Sequence, residues 1–261
     1  MGVLNVTPDS FSDGGAFLDP EKAGARAEEM MHDGADFLDV GAESTAPNAP
    51  EVSAKEEWER LAPVLQTFRE KNIPFSVDTY KAEVARRALK MGAQMINDVT
   101  ALRGDPEMAQ VLAEFPQAFL CLMYSKDSSA RTTLQDLGEE NIGAKIYAFF
   151  EERLAAAQKY GIAKERIMLD PGMGAFLSTD PEKSFTVLKN LQQFQDLGCP
   201  ILIGTSRKGF LKTVSGRAEP KDRVIASVVS ALLAIQNGAR IVRVHDVKEM
   251  KEALNTWEKV N

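Results

Sequence analysis

Eight short apolar, β-branched runs recur along the chain, and a polar connector and then an amphipathic helical stripe follow each of them. The runs are Gly2–Val6, Phe37–Gly41, Phe75–Thr79, Met95–Val99, Phe119–Tyr124, Ile167–Asp170, Ile201–Gly204 and Ile241–Val244. Each is nearly continuous in apolar character and too short for a helix, which is the pattern of a parallel strand buried on both faces. Helical stripes occupy Glu21–His32, Lys55–Lys71, Lys81–Met91, Pro106–Glu114, Ile142–Tyr160, Pro181–Leu197, Asp222–Asn237 and Lys248–Val260. In Lys55–Lys71 the residues Trp58, Leu61, Val64, Leu65 and Phe68 fall on one face. Gly34, Gly92, Gly161, Gly198 and Gly238 close five of the stripes, where a left-handed cap is expected. Strict alternation over 261 residues predicts an α/β fold. The specific expectation is one (β/α)8 TIM-barrel domain over 1–261, with its active site at the C-terminal ends of the strands. A doubly wound sheet would normally place a glycine-rich phosphate loop after its first strand, and none is there.

The net charge of −7 argues against a general nucleic-acid binder or a polybasic membrane protein. An anionic substrate would need local cations. No apolar run approaches the roughly 20 residues of a membrane span, and the start lacks the basic-then-apolar order of a signal peptide. The chain opens directly in a strand, which leaves room for a short preceding segment. Cys121 and Cys199 lie in apolar runs with no CxxC spacing, so buried thiols of a cytoplasmic protein are expected.

Asn5–Gly15 (NVTPDSFSDGG) follows the first strand with dense polar, turn-forming and glycine residues. In an α/β protein such a loop lies where ligands bind. The other strand ends carry Asp39 with Glu43, Asp78, Asn97 with Asp98, Met123-Tyr124, Asp170, Ser206-Arg207-Lys208, and Arg243 with His245-Asp246. Singly, any of these could be structural: Asp39 as a cap, Asp98 as a buried acceptor. Together at one rim they describe a pocket. Asp78, Asn97, Asp170 and Lys208, with Met123 as an apolar wall, offer carboxylate, amide and ammonium groups to a flat, nitrogen-rich heterocycle. Arg243 and His245 flank Val244, so period two puts them on one face as an anion site. Asn5 could share Mg²⁺ with a bound diphosphate, since Mg²⁺ takes few protein ligands. His32, on a helix, is expected at the surface. No serine has the context of a nucleophile.

These residues resemble the dihydropteroate synthase family. The matching pieces are Asn5–Gly15, Gly41–Thr45 (GAEST), Asp78-Thr79-Tyr80 (DTY), Ile96–Val99 (INDV), Leu169–Gly174 (LDPGMG), Ser206–Lys208 (SRK) and Arg243–Val247 (RVHDV), in the family's order across the whole chain. The resemblance implies a folate-pathway barrel, acting as a homodimer, that couples 6-hydroxymethyl-7,8-dihydropterin diphosphate to p-aminobenzoate with Mg²⁺. It implies a pterin pocket of Asp78, Asn97, Met123, Asp170, Gly204 and Lys208. It makes Asn5, Arg243 and His245 the diphosphate side, with Asn5 on the metal. Asp13 falls on a first mobile loop near the developing cation, and Lys208, Arg243 and His245 join it as catalytic residues. Diphosphate leaves first in such enzymes, and the arylamine nitrogen then attacks a pterin-methyl cation.

The resemblance places the second substrate beside Thr45, Phe176 and Gly209, and the sequence departs from the family on that side. The usual STRPG reads Ser44-Thr45-Ala46-Pro47-Asn48, and glycine replaces the serine that follows SRK. Met123-Tyr124 stands for the usual Met-His, and Ala175-Phe176-Leu177-Ser178 for the usual Phe-Gly-Lys segment, closer to the sulfonamide-insensitive branch. Weaker sulfonamide binding than in members with the usual loop is expected. Two alternatives share the barrel: a pterin-dependent methyltransferase module, which needs no diphosphate site, and a non-catalytic pterin-binding paralogue.

Overall fold

The computed structural model describes residues 1–7, 20–45, 49–134, 138 and 141–260. Eight parallel strands lie in sequence order: β1 (Gly2–Asn5), β2 (Leu38–Gly41), β3 (Phe75–Asp78), β4 (Met95–Asp98), β5 (Phe119–Met123), β6 (Ile167–Asp170), β7 (Ile201–Ile203) and β8 (Ala239–Val242). The sheet closes on itself: the Val3 amide donates to Val244 O at 2.9 Å, and the Val244 amide to Met1 O at 3.0 Å. Around it pack α1 (Pro20–His32), α2 (Ala54–Glu70), α3 (Ala82–Met91), α4 (Met108–Glu114), α5 (Ile142–Lys159), α6 (Pro181–Lys189), α7 (Lys212–Ser215), α8 (Val224–Gln236) and α9 (Val247–Val260). The architecture is the (β/α)8 barrel that the alternation predicts.

Period two along each strand sorts the side chains. Leu4, Leu38, Val77, Ile96, Leu120 and Leu169 point outward into the main core under the helices. The α2 stripe meets them there, with Leu61, Val64, Leu65 and Phe68 fully buried and the Phe68 ring edge-on to Phe75 at 5.7 Å. The inward face starts apolar at the N-terminal end, where Met95, Cys121 and Leu202 pack with Phe37, Met168 and Ile241. Two residues further along the same face come Asp39 on β2, Asn97 on β4, Met123 on β5, Asp170 on β6, and Arg243 after β8. The apolar floor therefore fixes which polar groups reach the mouth.

The five expected cap glycines all have positive φ, from 69° to 114°. His32 is exposed, and both cysteines are free and buried. Most boundaries shift by a residue or two, and three elements differ for identifiable reasons. The last strand is Ala239–Val242 rather than Ile241–Val244, because exposed Arg240 interrupts the apolar run that marks its start. A register shift at Ile201/Leu202 takes up the difference, and Val244 keeps only a bridge to Gly2. The stripe Pro181–Leu197 is α6 followed by a 3-10 segment, Leu191–Leu197. The Asn190 amide at the break donates to Thr186 O at 2.9 Å and competes with the helix backbone. Helix α8 begins at Val224 rather than Asp222, which ends a separate 3-10 turn.

Candidate active site

The rim is organised by a buried carboxylate. Asp39 has no solvent exposure. Its Oδ1 accepts from Ser76 Oγ at 2.5 Å. Its Oδ2 accepts from Asn97 Nδ2 at 3.1 Å and from Arg243 Nε at 2.6 Å. Arg243 Nη2 reaches on to Asp78 Oδ2 at 3.1 Å. Residues from β2, β3, β4 and the end of β8 thus share one network across the mouth.

Asn97 is buried, and its Oδ1 has no hydrogen-bond partner. A buried, unpaired acceptor is costly unless a ligand donor meets it. Asp170, also buried, holds the Gly172 amide with Oδ1 at 2.8 Å. Lys208 lies across the Phe176 ring, with Nζ 4.8 Å from its centroid. Phe176 packs with Val99, Met123 and Ala130, and Tyr80 lies against this group. Gly204 backs Arg243: a Cβ there would come within 3.9 Å of Arg243 Cβ. An aromatic wall, an ammonium, two carboxylates and an open amide oxygen therefore converge, as a flat heterocycle requires.

The electrostatics follow from this crowding. Burial, then the charge of Asp39, raise Asp78 to about 7 against the opposing pull of Arg243. Burial raises Asp170 to about 6, resisted by the Gly172 amide, Lys208 and Arg243. Burial and the neighbouring Arg243 lower Lys208, while Asp170 and Asp78 hold it up. Burial works against the Arg243 charge, but Asp39 and Asp78 carry its pKa above the ordinary arginine value.

Arg243 and His245, expected side by side as an anion site, each turn to a protein partner. The Arg243 guanidinium turns to Asp39 and Asp78. His245 turns to Ser206, with Nδ1 and the backbone nitrogen 3.0 and 3.1 Å from Ser206 Oγ. Burial, Arg243 and Arg207 lower the imidazole to about 4, so at neutral pH it acts as a neutral hydrogen-bonding group. Asn5 ends β1 with an exposed side chain. Thr45 is half-buried and Gly209 exposed at the head of a 3-10 turn. Asp13 and Ala46–Asn48 lie outside the described residues.

Other rim residues are structural. Tyr124 is buried and turns to the helix layer, edge-on to Phe149 at 5.1 Å. Asp98 caps its own turn, accepting from the Thr100 and Leu102 amides at 2.8 and 2.7 Å. Arg207 pairs with Asp246. Two features escape the sequence reading. One is the central place of Asp39, which its position two residues after inward-facing Phe37 could have signalled. The other is a charged cluster of Glu43, Glu57, Lys81 and Arg131, for which no local pattern gives a cue.

Residues 1–245 match the family described as "Pterin binding enzyme". A dihydropteroate synthase of Synechocystis is 40% identical over 97% of this chain and 86% of its own length. A Xanthomonas albilineans dihydropteroate synthase, solved with 4-aminobenzoic acid, superposes with a TM-score of 0.92 at 40% identity, over 99% of this chain and 91% of that one. The same enzyme in complex with 7,8-dihydropteroate gives 0.87 at 38%, over 99% and 92%.

Proposed function

The chain belongs to the pterin binding enzymes, among the dihydropteroate synthases, and we propose from that premise how its own residues carry the reaction. It is a transferase that condenses 6-hydroxymethyl-7,8-dihydropterin diphosphate with p-aminobenzoate, giving 7,8-dihydropteroate and diphosphate. The observation that carries the site reading is the buried, unpartnered Asn97 Oδ1 between Asp78 and Asp170. A pterin edge has ring N–H and amino groups for this oxygen and for both carboxylates. The Lys208 ammonium meets an exocyclic oxygen or ring nitrogen. Phe176 and Met123 cover the ring, and Gly204 leaves room beside Arg243.

On the leaving-group side, the diphosphate competes with Asp78 for Arg243. Asp39 keeps Nε while Nη2 is released, so anion binding frees Asp78 for the pterin. The Ser206 hydroxyl donates to Nδ1 of His245, which leaves Nε2–H to donate to the anion. Arg243 and His245 stabilise charge as it develops on the departing oxygen. The route is dissociative, and the carboxylates of the pocket, with Asp13, stabilise the pterin-methyl cation. The arylamine nitrogen then attacks that carbon and loses a proton.

No group of three or more His, Cys, Asp or Glu side chains among the described residues could hold a metal. One neutral amide, Asn5, at a strand end fits Mg²⁺ whose remaining ligands are phosphate and water oxygens. When bound there, the ion supplies charge for diphosphate departure. Thr45, Phe176 and Gly209 line the arylamine side.

The protein acts in the cytoplasm as a homodimer. No described helix is long and apolar enough to cross a membrane. Ile225, Val229 and Leu233 follow i, i+4 spacing on α8 and are 80%, 50% and 50% exposed. A second copy covers this stripe.

Calorimetric titration of a dihydropterin tests the pocket. One-to-one binding that weakens at least about tenfold in Asn97→Ala is expected. Undiminished affinity in that variant would place the ring elsewhere.

A further inference from the structure

The connection from β2 to α2 has no lysine or arginine between Ala42 and Ser53, yet cations from three other places hold its described part. Arg60, on α2, donates from Nη1 to Ala42 O at 2.9 Å. Lys81, ahead of α3, pairs with Glu43 and Glu57. Arg131 arrives from the β5–α5 connection. It donates from Nε to Ala49 O at 2.8 Å and from Nη2 to Pro50 O at 2.7 Å, and its Nη2 also pairs with Glu43. Glu43 in turn accepts from the Val52 amide and the Tyr80 hydroxyl, each at 3.3 Å. A single guanidinium thus grips both ends of the connection, through the acid at its start and two carbonyls near its end.

The residues beside Arg131 tie the same loop to the aromatic wall. Ala130 packs with Val99, Met123 and Phe176. Thr132 donates from Oγ1 to Ala175 O at 2.8 Å. The Lys126 amide donates to Phe176 O at 2.9 Å. The β5–α5 connection therefore fixes the Phe176 wall and the β2–α2 connection to each other.

We propose that Arg131 is a positioning residue for the second substrate: it holds the β2–α2 connection in register with the Phe176 wall, and so sets the arylamine side of the mouth. This rests on the reading that the mouth takes a pterin and an arylamine. Arginine is required because two nitrogens of one rigid plane address two carbonyls and a carboxylate at once, which a lysine ammonium cannot do. The Arg131 side chain takes no part in the hydrogen bonds of Asp78, Asn97 and Asp170, and Phe176 keeps its own ties through Lys126 and Thr132, so the pterin side is left in place when Arg131 is replaced.

Arg131→Ala and Arg131→Lys test this by two readouts. The first is amide hydrogen exchange over residues 49–52, which needs no turnover. The second is the KM for p-aminobenzoate set against the pterin dissociation constant. Loss of one charge-assisted grip gives exchange at least about tenfold faster over 49–52, with α3 unchanged, and an arylamine KM raised about tenfold in both variants. The pterin constant stays within about twofold. Unchanged exchange would overturn the grip whatever the turnover. Faster exchange with an unchanged KM, or a pterin constant that worsens in parallel, would overturn the positioning role. A wild-type protein that makes no dihydropteroate would count against the functional reading, while the exchange experiment still decides the grip.

Discussion

Arg243 donates from Nε to Asp39 Oδ2 at 2.6 Å, and this largely buried pair ties together the strand ends at the mouth. The same Oδ2 holds the Asn97 amide, so one carboxylate aims both the cation proposed to bind the anion and the amide proposed to bind the heterocycle. Its full burial makes the pair hard to replace in part, because removing one charge strands the other.

Asp39→Asn should therefore cost about 3 kcal/mol of stability, at the lower end for breaking a buried pair. Urea denaturation reads this as a lowered midpoint. Pterin diphosphate affinity falls as well. A midpoint equal to wild type would show that Arg243 finds another counter-charge.

Pterin affinity should rise with pH through the range of Asp170 and Asp78, about 6 and about 7, because both must be ionised to accept ring N–H groups. Stability runs the other way. The folded protein holds these protons more tightly than the unfolded chain, whose carboxyls titrate near 3.9. The unfolding free energy therefore falls as pH climbs from about 4 to about 7 on their account. His245, lowered to about 4, adds an opposite trend: stability gained above its unfolded pKa near 6.5 is lost as pH falls toward 4. Asp78→Asn should remove the upper step of the affinity profile, which fluorescence titration of a pterin from pH 5 to 8 would detect.

The chain has two histidines, which makes the imidazole state directly measurable. With exposed His32 replaced by glutamine, the remaining ring-proton NMR signal should stay at its neutral position down to about pH 5. A midpoint near 6.5 would mean that His245 binds the anion as a cation.

Lys208→Ala and Asp170→Asn should each weaken pterin binding about 100-fold, the cost of removing a charged partner from a buried site. Circular dichroism should stay native in both. Unchanged affinity in either variant would mean that the pocket is misplaced.

Gly209→Ser should improve the second-substrate side. A Cβ at this position meets nothing within 4 Å, so a serine enters without strain. A several-fold lower KM for p-aminobenzoate, about 1 kcal/mol for one added hydrogen bond, and tighter sulfonamide inhibition are expected. Wild-type inhibition constants as low as in members with the usual serine and arginine would contradict the assignment of this side.

The barrel and its rim were legible because one rule sets both. The period-two pattern that turns Met95, Met168 and Ile241 into the barrel also brings Asn97, Asp170 and Arg243 to its mouth. Asp39 was visible as a rim residue but not as the centre of the network, since nothing local to it tells which of several carboxylates Arg243 will choose. The last strand begins two residues before its expected start, because Arg240 hides that start, and Arg243 follows its end. Arg131 gave no signal, because its partners are Glu43, Ala49 and Pro50 on a distant connection. Contacts between loops depend on closure of the barrel, which no local window contains.

Both halves of the mouth are expected to work in one turnover. Purified protein, given the dihydropterin diphosphate, Mg²⁺ and p-aminobenzoate, should release diphosphate and form 7,8-dihydropteroate in equal amounts, measured together by mass spectrometry. Pterin bound with neither product formed would contradict the account, and diphosphate without dihydropteroate would contradict its arylamine half.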